Sequence, residues 1–144
     1  MKLWIPALLV GVLCAAGAVA HTQNGSLGAT ASSTDFYQIT CLDDGSGTPV
    51  SLGVEIEDAA PAAPPLVSVQ IQRGLLIVSV TDRTDGDGQP STEVFLNGGP
   101  GVYDVLIDKT AAGAENYTLD FHCFTGPDGT GIHTGTSIVT RQNQ

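Results

Sequence analysis

The sequence predicts an all-β protein: a single β-sandwich of about eight strands, closed by one disulfide. Three observations predict it. Apolar and polar residues alternate in several runs of six to ten residues, the period of a strand with one buried face. Clusters of Gly, Pro and Asp separate those runs, and beyond residue 20 no stretch holds a helical period. Two cysteines, Cys41 and Cys123, each fall on the apolar side of an alternating run.

The chain opens with a secretory signal. Lys2 supplies the positive end, Leu3 to Ala16 is apolar, and Ala18-Val19-Ala20 offers a small-x-small cleavage site. Cleavage there leaves His21 first and removes Cys14, Trp4 and Met1. The predicted organisation is a signal peptide over 1–20 and a sandwich domain over 21–144. Residues 21–33 are small and polar apart from Leu27, and read as a flexible lead-in with room for a short edge strand. Asp35–Leu42 alternates Tyr37, Ile39 and Cys41 against Gln38 and Thr40. After the turn Asp43–Gly47, Val50, Leu52, Val54 and Ile56 alternate with Ser51, Gly53, Glu55 and Glu57. Asp58–Pro65 holds three prolines and reads as an extended connection. Leu66–Gln72 and Leu75–Thr81 flank Arg73-Gly74 as a hairpin. The second run, almost continuously apolar, is expected in the middle of a sheet. Asp82–Pro90 is a loop, Thr92–Asn97 a short strand, and Gly98–Gly101 a turn. Val102–Lys109 alternates again. In Glu115–Phe124, Tyr117, Leu119, Phe121 and Cys123 share one face, and Thr118, Asp120 and His122 the other. The turn Gly126–Gly129 precedes a last strand, Ile132–Arg141.

Charge narrows the partners. Fifteen Asp and Glu against five Lys and Arg give a net charge of −10. Such a chain repels phosphate backbones and anionic lipid, so nucleic acid is excluded as a partner, and membrane insertion ends with signal cleavage. The expected setting is secreted or periplasmic. An even pair of cysteines in an exported chain predicts the bridge Cys41–Cys123.

Cys41 on an early strand and Cys123 on a late one resemble the disulfide arrangement of immunoglobulin-like domains. The mature chain lacks their core tryptophan, and Phe121 stands where tyrosine precedes the second cysteine. The sandwich is accordingly expected to be immunoglobulin-like or jelly-roll-like. Val67 to Cys123, with Gly101-Val102-Tyr103-Asp104-Val105 and Asn116-Tyr117-Thr118-Leu119, resembles the bacterial pre-peptidase C-terminal domain. That resemblance implies a β-sandwich of the kind appended to secreted hydrolases, serving secretion or substrate attachment; the partner expected of a metal-free module is another surface protein.

The sharpest chemistry lies in the histidines. A terminal His21 offers its α-amino nitrogen and its imidazole to one ion, and a second imidazole completes a three-nitrogen site suited to Cu(II). The arrangement resembles the histidine brace of secreted copper proteins, which include lytic polysaccharide monooxygenases. His122 and His133 are the remaining imidazoles, on strands flanking the Gly126 turn, and Asp120 shares the face of His122. The plain alternative is a set of polar surface groups. A second candidate is calcium at Asp82, Asp85 and Asp87, a short loop rich in hard oxygen donors. Arg83 and the lack of flanking helices take it off the EF-hand template. No nucleophile motif occurs and both mature cysteines are paired, so no catalytic residues are assigned. The expectation is a non-catalytic binding protein that takes copper. A metal-free attachment module is the alternative, and a copper monooxygenase the third reading.

Overall fold

The computed structural model describes residues 21–144; the expected signal peptide, residues 1–20, lies outside them. The described chain is all-β apart from one 3-10 turn at Pro127–Gly129. The nine strands are β1 (His21–Leu27), β2 (Asp35–Leu42), β3 (Ser51–Asp58), β4 (Val67–Arg73), β5 (Leu76–Thr81), β6 (Val94–Leu96), β7 (Gly101–Lys109), β8 (Glu115–Phe124) and β9 (His133–Gln142). No helix among the described residues is long and apolar enough to cross a membrane.

Alternation decides the architecture. In β2, β7 and β8 every second residue is buried, so each strand presents one continuous apolar face. Those faces meet in one core. Ile39 of β2, Ile56 of β3, Ile71 of β4, Ile107 of β7 and Leu119 of β8 are all fully buried. Each such side chain contributes roughly 1.5–3 kcal/mol on leaving water. A slip of one residue in any strand would expose its whole set, which fixes the register.

The strands follow the path β5-β4-β7-β2-β9-β8-β3-β6, with β1 added on β8. Every pairing is antiparallel. β9 joins the two halves. Its first residues, His133 and Thr134, pair with β8, and Gly135–Gln142 pair with β2. The ends of the path, β5 and β6, lie against one another. The result is a nearly closed, barrel-like sheet that fits a sandwich loosely. Cys41 and Cys123 are bonded across the core and close a loop of 82 positions. The chain-entropy model makes such a closure worth about 4 kcal/mol.

Two expectations change. The lead-in is a full strand, which brings the total to nine rather than about eight. β5 is not central. It ends the path, with Leu76 and Ile77 half exposed and Leu75 fully exposed at the hairpin tip. An unbroken apolar run reads as buried on both faces. Here only Val78 and Val80 pack against the core. β1 lies down on β8 because residue 25 is glycine. Gly25 pairs with Tyr117, and a Cβ at that position would collide with the tyrosine ring. That ring is held in place. Its hydroxyl donates to Asp35 Oδ2 at 2.5 Å and bonds the Tyr37 hydroxyl at 2.7 Å.

Candidate metal centre

The three histidines arrive from three strands at one place. Along one edge, β8 pairs with β1 as far as Phe121 and then with β9 from Cys123. His21 opens β1 at that junction, opposite Phe121, and His133 opens β9 opposite Phe124. His122 lies between them on β8. Its ring stacks on His133 with centroids 4.4 Å apart and meets His21 edge-on at 6.0 Å. With metal–nitrogen bonds near 2.0 Å, two imidazoles on one ion have centroids roughly 4.5 Å apart when adjacent and about 6 Å apart when opposed.

The surroundings suit a neutral imidazole at His122. Phe124 packs edge-on to His133 at 4.8 Å, and Phe121 lies 5.8 Å from His21. Burial lowers the pKa of His122, and the neighbouring His133 and His21 lower it further; Asp120 opposes them. Imidazole ligates through its neutral form, so this shift favours ligation. Nδ1 of His21 is buried and has no hydrogen-bond partner. Asp120 sits on the outer face of β8, where it accepts a 2.5 Å hydrogen bond from the Thr22 hydroxyl. It thereby anchors β1 beside the histidines. Two further acids share this face. Glu55 pairs across strands with Asp120, and Glu93 reaches the space over Gly53, the cross-strand neighbour of His122. Burial raises the pKa of both carboxyls; Asp120 adds to the effect at Glu55, and Glu55 adds to it at Glu93. A negative field therefore covers the outer face.

The expected calcium loop is divided. Asp82 is buried and its carboxylate is used: Oδ2 accepts the Asp58 N–H at 2.8 Å and Oδ1 the Thr84 N–H at 3.1 Å. Asp87 is exposed and caps its own turn by accepting the Gln89 N–H at 2.8 Å. Asp85 instead points to two carboxylates outside the expected loop, Asp58 and Glu115. Among the described residues this is the one group of three whose donor atoms all lie within 4.8 Å of one another. The donor nitrogens of His21, His122 and His133 do not meet that limit together, so gathering all three on one ion takes rotation of a side chain. His133, exposed at the start of β9, has the room.

A signal for Asp58 and Glu115 was present in the alternation. Asp58 continues the inward set Leu52, Val54, Ile56, and Glu115 begins the inward set Tyr117, Leu119, Phe121, Cys123. A charge on the apolar parity of a strand marks a group that must find a partner inside. No protein-family model, curated protein or solved structure matches this chain.

Proposed function

We propose that this is an exported copper-binding protein whose ion is held by His21 as the first residue of the mature chain, together with His122, His133 or both. One observation carries the reading: imidazoles from β1, β8 and β9 converge where β8 changes partner, and one of them has a buried nitrogen with no partner. Imidazole and amine nitrogens select Cu(II) over hard cations. The acids of the outer face, Asp120, Glu55 and Glu93, favour approach of a cation. The reading is binding rather than oxidation. Polysaccharide oxidation wants a flat aromatic surface beside the ion, and the sole tryptophan, Trp4, precedes the cleavage site.

The test is copper titration of protein that begins at His21, set against the same chain with one alanine ahead of it. The extension removes the terminal amine from the chelate and leaves every side chain in place. We expect one Cu(II) per chain with a nitrogen-rich paramagnetic spectrum, and affinity at least 100-fold weaker for the extended chain. Equal affinity in the two would refute the terminal chelate. Failure of both to bind copper would leave the metal-free attachment module as the better reading.

A further inference from the structure

We propose a second metal site at the other end of the barrel, in which Asp58, Asp85 and Glu115 hold one hard divalent cation of the calcium type. It is independent of the histidines. The three carboxylates come from the end of β3, the loop after β5 and the start of β8. Their placement is built rather than incidental. The Gly86 N–H donates to the Asp58 carbonyl at 2.9 Å and sets Asp85 beside β3. Asp82, bonded to the Asp58 N–H, closes the loop from its other end.

The orphaned oxygens show that something is owed to this cluster. Asp58 is fully buried. Its Oδ2 accepts the Val67 N–H at 2.9 Å, while its Oδ1 has no partner. Glu115 is 3% exposed and its Oε2 has no partner. Both carboxylate oxygens of Asp85 are likewise buried and unbonded. Buried carboxylate oxygens are costly unless paired. A third inward acid shows the contrast: Asp35 accepts from the Tyr117 hydroxyl and from the Gln144 N–H. Lys109 acts on Glu115 through its charge but spends its hydrogen bonds elsewhere. The Lys109 ammonium donates to the carbonyls of Gly28 and Gly113.

Donor chemistry selects the ion. All three groups are hard oxygen donors, with no nitrogen or sulfur among them, which disfavours copper and zinc here. Oxygens bound to one Ca2+ at about 2.4 Å lie at most about 4.8 Å apart, the limit these donor atoms meet. Mg2+ needs a tighter octahedron at about 2.1 Å and gives up its waters reluctantly. Water would complete the sphere of a calcium ion, entering past Asp85, the one residue of the three that is partly exposed although its carboxylate oxygens are buried.

The test is calorimetric titration of the mature chain, stripped with chelator, with CaCl2 and separately with MgCl2, alongside thermal melting. We expect one Ca2+ per chain, bound at least tenfold more tightly than Mg2+. At a hundredfold excess over its Kd, calcium should raise the melting temperature by about 10 °C. Asp85→Asn keeps the loop's size and should weaken calcium at least tenfold while retaining the circular dichroism of the fold. Glu115→Gln should do the same, and His122→Ala should leave calcium affinity unchanged. Absence of heat and of any melting shift up to about 10 mM calcium, beyond the range of extracellular modules, overturns the proposal. So does undiminished binding in Asp85→Asn, or tighter binding of Mg2+ than of Ca2+.

Discussion

The two ends of β8 are built from opposite materials. At its last residues, imidazoles gather among phenyl rings, half open to solvent, and one of them opens β1. At its first residue, carboxylates gather in the interior, with oxygens that bond to nothing. Glu115 and His122 are roughly 24 Å apart along an extended strand, too far for either set of charges to govern the other at physiological salt. On the proposed copper reading the histidine end depends on processing, because the chelate would need the terminal amine of His21. The carboxylate end depends on folding alone, because its donors meet only when β3, β8 and the loop after β5 have packed. If both proposals hold, one strand would serve a borderline-soft site and a hard one without mixing their ions.

Blocking the amine of His21, by acetylation or by an added residue, is the strongest way to break this comparison. Copper affinity should fall at least 100-fold while calcium affinity stays within twofold; a parallel loss would show that the ends are coupled. Next in size is the disulfide. Replacing Cys41 and Cys123 by serine should cost about 2–5 kcal/mol in urea unfolding. Copper should suffer more than calcium in whatever fraction stays folded, since Cys123 adjoins His122. Gly25→Val comes third. Its side chain meets the Tyr117 ring, which should lift β1, cost about 1–3 kcal/mol, and weaken copper roughly tenfold without touching a ligand.

A smaller effect separates the ends by pH in metal-free protein. Burial holds the Asp58 carboxyl up at about 7, with Asp85, Glu115 and Asp82 adding to it and the Val67 N–H opposing. A carboxyl raised above its unfolded value of 3.8 stabilises the fold fully below that value. Its contribution is lost as pH rises through about 7. His122 runs the other way. Its pKa is lowered, so its contribution is present above 6.5 and is lost as pH falls through its folded value. Melting curves in chelator between pH 5 and 8 should therefore lose their alkaline decline in Asp58→Asn and soften their acid decline in His122→Ala. Wild-type profiles in both variants would remove the electrostatic account of the two ends. The smallest change is Leu75→Ser at the exposed hairpin tip, which should move stability by no more than about 0.5 kcal/mol and neither affinity.

Strand positions were legible because a period of two is local: β2 and β8 fall at Asp35–Leu42 and Glu115–Phe124 as the alternation reads. Sheet order was not, because it is set by pairings between distant segments, and so β5 looked central while standing at the end of the path. The cysteine pair was legible from export and parity together. The meeting of His122 with His133 was legible from the turn between their strands. The approach of His21 was not, since it rests on the missing side chain of Gly25. The carboxylate site was half legible. Asp85 stood in an evident acidic loop, but Asp82 and Asp87 spend their oxygens on backbone N–H groups nearby. The true companions carry inward parity on strands far apart in sequence, and parity alone does not say which inward acids will meet.

The parity of β8 has a consequence for how this chain can vary. Glu115 lies on the inward set and His122 on the outward one. Inserting a single residue between them would reverse the faces of one segment, turning an imidazole into the core or a carboxylate out to water. Inserting two would restore the faces but slide one site away from its partners on β1, β3 and β9. The length of this strand is thus a fixed dimension of the molecule, and so is the turn at Asp43–Gly47, which the Thr134 hydroxyl ties to β9 through the Gly47 carbonyl; the exposed turn at Asp87–Pro90, where Gln89 bonds only Asp87 and Gly88, can vary.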